Sequence, residues 1–392
     1  MSIGIKYMIK DGLSEMELRR YARHLVIPEV GVEGQNKLKQ ARVLIVGAGG
    51  LGSPLGMYLA AAGIGKIGII DFDKVSYSNL QRQILFSQGD VEQSKAEIAK
   101  ERLLEINPGI EVKSYNVKIS SDNALDIIKE YDVVADGSDN FSAKYLLNDA
   151  CVLLGKPLVY GSVLKFEGQV SVFYAKEGPC YRCLYPEPPD NVPTCEEAGV
   201  LGVLPGIIGS IQACEVIKHI IGKGGLLTGR LLMLDALEMK FKELKFGKNP
   251  DCPVCGKNPE IKSLKRENYD FENCSTDNKT GKMNQNGNWE ITVEELKRKI
   301  DNNDKFTLID CREPFETRIS SIGGELIPIN DLPNRIDELN KEEEIIVYCR
   351  SGHRSHYAVQ YLRDNAGFTK VKNLLGGINL WADKIDNSLP KY

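Results

Sequence analysis

No excess of basic charge marks this sequence: 50 lysines and arginines stand against 54 aspartates and glutamates, a formal net charge of -4. A surface that tracks a phosphate backbone needs clustered positive charge, so nucleic acid is not an expected partner. Uninterrupted apolar runs are also wanting. The longest, residues 199 to 221, is broken by Pro205 and carries Glu215, Lys218 and His219, so it reads as a buried helix and no membrane partner is expected. The opening Met1-Ser2-Ile3-Gly4-Ile5-Lys6-Tyr7 has no apolar segment or cleavage site of the secretory kind, which leads us to expect a cytoplasmic protein. In that compartment the 10 cysteines, four of them in two C-x-x-C pairs, point to metal and thiol chemistry rather than to disulfides.

What is present suits a globular protein of two or three domains: 392 residues, 42% hydrophobic and 27% charged. Val43-Leu44-Ile45-Val46 runs straight into Gly47-Ala48-Gly49-Gly50-Leu51-Gly52 and then an alanine-rich helix beginning near Ser53. An apolar strand, a glycine turn and a helix in succession form the first half of a Rossmann-type unit, where a phosphate meets backbone N–H groups at the helix N-terminus. Gly47, Gly49, Gly50 and Gly52 are the candidate cradle. The next strand ends in Asp71, where such folds place a carboxylate on a ribose hydroxyl. Taken alone, these glycines fit an NAD oxidoreductase as well as a mononucleotide enzyme, although neither a nicotinamide pocket nor a hydride partner is visible.

In chain order, Ser14-Glu15-Met16-Glu17 is a capping box that opens a helix carrying Arg19, Arg20 and Arg23, by default a solvated face. The polar segment 71–83 leaves the carboxyl end of a strand, where binding groups gather. A helix from Lys95 through Leu104, strands at 112–117 and 133–135, and the run Asp136-Gly137-Ser138-Asp139-Asn140 continue a strand–helix alternation that predicts a mostly parallel, doubly wound α/β sheet. Strands over 158–174 turn at Glu167-Gly168, and residues 168–173 alternate like a half-exposed strand. Pro186, Pro188, Pro189 and Pro193 predict an exposed loop. Residues 273–288 hold almost nothing that could enter a core, so the expected division is 1–260, a flexible linker at 261–288 and a second small α/β domain at 289–392. In that domain we expect a helix over 293–300, strands over 307–310 and 344–348, and a helix over 356–364. Neither half repeats the other.

Arg82, Lys95 and Asp139 surround the glycine turn in this reading. Two cations neutralise a triphosphate and its leaving pyrophosphate while a carboxylate holds Mg, which is what nucleotidyl transfer requires and hydride transfer does not. With Gly-Ala-Gly-Gly-Leu-Gly, Ser78-Asn79-Leu80-Gln81-Arg82-Gln83, Lys95 and Asp139-Asn140, residues 14 to 258 resemble the ThiF/MoeB family, relatives of the ubiquitin-activating enzymes. The resemblance implies ATP-dependent adenylation of the C-terminal glycine of a ubiquitin-fold carrier protein ending in Gly-Gly. It implies that Gly50 and Asp71 contact the nucleotide, that Asn79, Arg82 and Lys95, in the motif with Ser78, contact the phosphates, and that Asp139, next to Asn140, holds the metal. Arg23 matches the family's arginine that reaches into the other subunit's site, which implies a homodimer.

Cys180-Tyr181-Arg182-Cys183 and Cys252-Pro253-Val254-Cys255 are the two halves of a Cys₄ site, four thiolates with no open position and hence a structural zinc. Two redox pairs or disulfides are the competing reading. Cys195, after the proline loop, is incidental by spacing alone; in ThiF/MoeB relatives this position is the cysteine near the adenylate, which makes it a second candidate catalytic thiol. Cys151 and Cys214 sit in apolar helical contexts and are expected in the core, and Cys274 has no assigned role.

The second domain has one chemically loaded stretch, Cys349-Arg350-Ser351-Gly352-His353-Arg354-Ser355, a cysteine leaving an apolar strand into a glycine-containing loop that opens a helix. Converging N–H groups and two arginines would lower the thiol pKa and hold an anion on sulfur. Sulfane-sulfur transfer and phosphate-ester cleavage both use such a cradle; Arg354, five positions after Cys349, makes a loop tighter than thiol phosphatases have and suits a persulfide. Together with Asp310-Cys311-Arg312-Glu313-Pro314, Leu375-Gly376-Gly377-Ile378 and Trp381, the segment resembles a single rhodanese domain over 289–392, without that family's usual histidine and alanine before the third strand, where the chain reads Ile322-Gly323-Gly324-Glu325. Cys311, on a strand end, is expected to be packed, and His353 to line the loop. The two halves join in one expectation: ATP activates the carrier's carboxylate, a Cys349 persulfide attacks it, and Cys195 then either takes the acyl group as a thioester or cleaves an acyl disulfide with Cys349 to free the thiocarboxylate. Molybdopterin, thiamine, cysteine and tRNA thiolation all remain open as routes, and the sulfur donor as a cysteine desulfurase or thiosulfate. A non-catalytic scaffold for a ubiquitin-fold protein is the competing class.

Overall fold

A strand covered on both faces has to be apolar where it is covered, and β1 (Arg42–Val46) is apolar after its exposed first residue: Val43 to Val46 are all buried in the computed structural model, which describes residues 12–188, 198–269 and 289–391. Alternate residues of β1 feed opposite cores. Val43 and Ile45 pack with Leu55, Leu59, Leu103, Ile208 and Val216 on one face, and Leu44 and Val46 with Ile128, Tyr145 and Leu146 on the other. Two compact units result from the whole chain, Met1–Asp277 and Asn278–Tyr392.

The first unit continues with β2 (Lys66–Ile70), β3 (Glu111–Tyr115), β4 (Val133–Asp136), β5 (Leu158–Leu164), β6 (Glu167–Phe173), β7 (Arg230–Asp235) and β8 (Lys240–Lys245). They form one sheet in the order β3-β2-β1-β4-β5-β6-β7-β8, parallel from β3 to β5 and antiparallel from β5 to β8. Val46 is level with Ile70 on one side and Asp136 on the other, so the segments starting at Gly47, Asp71 and Gly137 leave the sheet side by side. Strand order reverses between β1 and β4, the crevice where open α/β sheets bind ligands. The helix Leu204–Ile221 is long and apolar enough to cross a membrane, yet it packs on the helix Gly52–Ala62 and on β5 and β6, which places it as a core helix.

Several local expectations change. The turn between β5 and β6 falls at Lys165 and Phe166, with Lys165 at φ 53°, not at Glu167-Gly168. Gly168 lies inside β6 because Ile208 packs where its Cβ would be, 2.5 Å away. The opposite face of β6, expected to be exposed, is largely buried as well: the Ser171 hydroxyl donates to the carbonyls of Leu227 and Arg230, and Phe173 packs with Tyr160 and Tyr181. The Ser14 capping box forms, but its helix stops at Arg20, and Arg23 lies on the separate helix Ala22–Leu25. Cys151 is buried, whereas Cys214 is exposed, because Ala213 and Val216 take the core-facing positions of its helix. Residues 261–269, expected at the head of the linker, pack on the first unit: Leu264 joins its core, and the buried Tyr269 hydroxyl donates to Asp149 Oδ2 at 3.0 Å. The rest of that linker and most of the proline loop lie outside the described residues.

The second unit is a parallel sheet in the order β11-β10-β12-β13-β9, with β9 (Glu290–Ile291), β10 (Thr307–Asp310), β11 (Glu325–Leu326), β12 (Ile345–Tyr348) and β13 (Val371–Leu374). The helix Val293–Asp301 starts on a capping box of Thr292 and Glu295. The helix expected from residue 356 begins earlier, at His353, because Gly352 at φ 91° serves as its N-cap; His353, Arg354 and Ser355 therefore form its first turn.

Candidate functional site

The glycine turn after β1 is held by contacts no side chain would permit. A Cβ on Gly52 would lie 1.9 Å from the Gly47 carbonyl oxygen, and Gly47, at φ 94°, would drive one to 2.7 Å from the Gly137 carbonyl oxygen. The turn is thereby pressed against the start of the segment that follows β4. Asp71 ties it to β2: one carboxylate oxygen accepts from Ala48 N at 2.8 Å and the other from Asp73 N at 2.9 Å. Burial pushes the Asp71 pKa up, against the pull of the Lys95 charge. Lys95 is itself buried, and its Nζ lies 3.1 Å from Asp73 Oδ2.

Arg82 Cγ comes within 3.6 Å of where a Gly50 Cβ would stand, and its guanidinium donates to Ser78 O at 2.8 Å. Asn79 is buried and accepts from Ser76 N at 3.3 Å, while the Ser78 and Ser76 hydroxyls are 3.0 Å apart. Asp139 is exposed beyond β4. Asn140 is engaged as the N-cap of the helix Phe141–Leu154, accepting from Ala143 N at 2.8 Å. That segment is braced by the buried pair of Lys144 Nζ and Asp136 Oδ2, 3.0 Å apart. Arg23 stands exposed on its own helix, outside this group, and Cys195 lies outside the described residues.

The sequence reading missed Gln83. It is buried, its Oε1 has no hydrogen-bond partner, and its Nε2 is 3.5 Å from the Cβ position of Gly49. An unsatisfied buried acceptor beside a glycine cradle is a position that a ligand donor would complete. It closes both the polar segment 71–83 and the Ser78–Gln83 motif, but no role was drawn for it there.

Cys180, Cys183, Cys252 and Cys255 bring their sulfurs within 4.8 Å of one another, with neighbouring pairs at 3.9, 3.5 and 3.4 Å. A tetrahedral zinc with bonds of about 2.3 Å sets its sulfurs about 3.8 Å apart, so the cluster fits such an ion. The knuckles are closed turns, with Cys183 N donating to Cys180 O at 3.0 Å and Gly256 N to Cys252 O at 2.9 Å. Nothing in this donor set leaves a coordination position for a reactant.

In the second unit Cys349 directly follows β12 and is fully buried. Gly352 N donates to its sulfur at 3.2 Å, and Ser355 Oγ lies at 3.3 Å from it and 2.7 Å from Asn373 Oδ1. Burial alone would raise the thiol pKa, but hydrogen bonds from Cys311, the Ser355 hydroxyl and the backbone of Ser355 and Ser351 bring it down to about 5. At neutral pH the group is a thiolate. Arg354, expected to face the anion, is instead clamped by Glu316 at 2.7 and 2.6 Å, its charge still favouring the Cys349 anion from that position. His353 is exposed and stacks on Tyr357 with ring centroids 5.6 Å apart. Ser355 and Cys311 stood inside the quoted motifs with no role in this site, Cys311 being expected only to be packed, which it is; Glu316 carried no signal.

A ThiF family profile matches residues 21–254. The chain belongs to the ThiF family. A rhodanese-like domain profile matches residues 292–384 of this ThiF-family chain. Full-length relatives combine both parts: adenylyltransferase and sulfurtransferase MOCS3 of Culex quinquefasciatus is 41% identical over 400 aligned residues, covering 97% of this chain and 90% of that protein. Probable adenylyltransferase/sulfurtransferase MoeZ of Mycobacterium tuberculosis is 43% identical, with 97% of each chain covered. The crystal structure of Escherichia coli MccB with ATP has a TM-score of 0.54 at 26% identity, covering 62% of this chain and 75% of that one. This ThiF-family protein is an enzyme of two activities, adenylyl transfer and sulfur transfer, and its relatives favour neither an NAD oxidoreductase nor a scaffold.

Proposed function

We propose that the first unit uses ATP to adenylate the C-terminal glycine of a ubiquitin-fold sulfur carrier ending in Gly-Gly, and that the second delivers sulfur from a Cys349 persulfide to make a thiocarboxylate. The observation that carries this reading is a pairing within one chain: a glycine cradle flanked by Arg82 and Lys95 in one unit, and a buried thiol held as thiolate in the other. The glycine turn, with Asp71 and Gln83, binds the adenosine end; Arg82 and Lys95, with Ser78 and Asn79, offset charge on the triphosphate and the departing pyrophosphate. Asp139 would hold a Mg ion, which screens the phosphates, and Asn140 fixes the backbone beside it. Zinc in the Cys₄ cluster is structural.

The carrier carboxylate attacks the α-phosphorus and pyrophosphate leaves. The persulfide's outer sulfur then attacks the acyl carbon and expels AMP, giving an acyl disulfide on Cys349. Cys195 is the thiol we assign to releasing the thiocarboxylate from that intermediate. A homodimer in which Arg23 reaches the partner's cradle, a cytoplasmic setting, and a cysteine desulfurase or thiosulfate as sulfur donor complete the reading.

The decisive experiment is intact mass analysis of carriers ending in Gly-Gly after incubation with this protein, ATP, Mg and a sulfur source. Exchange of one oxygen for one sulfur on the carrier is the expected result. Absence of carrier-dependent ATP–pyrophosphate exchange with every carrier tried overturns the first half of the reading. Exchange with no sulfur gained overturns the second.

A further inference from the structure

Cys349 has a neighbour that this reaction scheme does not use. The parallel register sets Asp310 level with Tyr348, and Cys311 N donates to Tyr348 O at 3.0 Å, so Cys311 and Cys349 leave β10 and β12 side by side. Adjacent strands run about 4.8 Å apart. That lies inside the range of about 4.4 to 6.8 Å between Cα atoms which a disulfide spans. Both cysteines are 0% exposed, both belong to one apolar cluster, and their thiols share a hydrogen bond.

Resting on the reading of Cys349 as persulfide carrier, we propose that Cys311 is its resolving thiol: on a loaded domain that meets no acceptor, Cys311 displaces the outer sulfur and closes a Cys311–Cys349 disulfide. The bond between Cys349 Sγ and the outer sulfur breaks as the bond between Cys349 Sγ and Cys311 Sγ forms. The outer sulfur leaves with the electron pair and takes up the Cys311 proton as hydrosulfide. It is thereby reduced while the Cys311 thiol is oxidised, and no external oxidant enters.

Burial first, then the hydrogen bond and charge of the Cys349 thiolate, hold Cys311 protonated in the unloaded domain. Loading moves that negative charge one atom outward and removes the thiolate to which Cys311 donates, while the Arg354 charge continues to favour ionisation of Cys311. The neighbour is thus activated by the arrival of the cargo. Cys349 is fully buried with Gly352 N donating to its sulfur, whereas Cys311 lies already in hydrogen-bond contact with it. The result is a domain that sheds stranded sulfur as hydrosulfide and waits as a disulfide for a thiol reductant.

The test loads the full chain with thiosulfate, removes the excess, and follows intact mass, peptide maps and released sulfide with time, without carrier. We expect a species one sulfur heavier at Cys349 to give way to one lighter than the reduced chain by two hydrogens, with a Cys311–Cys349 cross-linked peptide, an equivalent of sulfide, and reversal by dithiothreitol. Cys311→Val should keep the extra sulfur. A wild-type chain that retains its sulfur as long as Cys311→Val, or loses it with no cross-link, overturns the inference and leaves Cys349 as carrier intact. The wild-type cross-link decides the matter even if the variant fails to fold. No sulfur on Cys349 in either protein, and no cross-link, overturns the carrier reading and this inference with it.

Discussion

Replacing Ser355 by alanine should move the acidity of Cys349 by an amount that can be worked out from its surroundings. The thiol sits at about 5, against about 8.5 for an unperturbed cysteine. Ser355 Oγ is one of the donors, 3.3 Å from the sulfur. A hydrogen bond to a charged group contributes about 1.5–3 kcal/mol, and each pKa unit corresponds to about 1.4 kcal/mol. Ser355→Ala should therefore raise the Cys349 midpoint by roughly one to two units, to about 6–7. The assay is the pH dependence of iodoacetamide alkylation, read on the peptide containing Cys349 because the exposed Cys214 would dominate a whole-chain count.

Ser355 has one hydroxyl proton and two acceptors, with Asn373 Oδ1 nearer at 2.7 Å. If that proton is committed to Asn373, the midpoint will not move, and an unchanged midpoint refutes the role assigned to Ser355. Stability supplies a second sign. A thiol whose folded pKa lies below its unfolded value stabilises fully above about pH 8.5, and that contribution is lost as pH falls through about 5. The gap between wild type and Ser355→Ala in urea unfolding should therefore be widest near pH 8 and narrow toward pH 5.

Gly52→Ala should abolish ATP–pyrophosphate exchange, because its Cβ would stand 1.9 Å from a carbonyl oxygen and the turn has to open; exchange within tenfold of wild type would contradict the cradle geometry. Lys95→Ala and Arg82→Ala should each lower exchange by about a hundredfold or more, as loss of a charge-stabilising donor does, with unchanged thiosulfate sulfurtransferase activity as the control. Glu316→Gln should cost about 2 kcal/mol in chemical denaturation, below the usual penalty for breaking a buried pair because the Arg354 side chain is 21% exposed; a loss under about 0.5 kcal/mol would show the clamp to be ornamental. A strong chelator should release one zinc per chain by elemental analysis and lower the melting midpoint of the first unit, as should Cys252→Ser; intact melting after complete metal loss would refute a structural site.

The stretches legible in the sequence are those whose physics is local. Val43 to Gly52 reads as strand, turn and helix because the apolar run, the glycines and the helix formers occur in one window. The Cys-x-x-Cys knuckles and the Cys349 loop are likewise short segments whose spacing is the signal. Local rules also misled. Gly168 has the residue type of a turn but is a glycine because a distant helix needs its space, and Cys214 lies in apolar sequence yet faces outward. Glu316 closing on Arg354 and Tyr269 returning to Asp149 have no signature in their own neighbourhoods, and the motif that ends in Gln83 does not say that this residue is buried against Gly49.

Residue type and spacing alone determined that this chain would carry a nucleotide turn, a four-thiol cluster and a cysteine in a loop of donors, since each is written within a dozen residues or in a repeated knuckle. Only the tertiary structure decided what stands next to them. Parallel register brings Cys311 against Cys349 and sets Gly47, Asp71 and Gly137 at one edge, and register is fixed by how whole strands bury their two faces, a property no single stretch of the chain possesses.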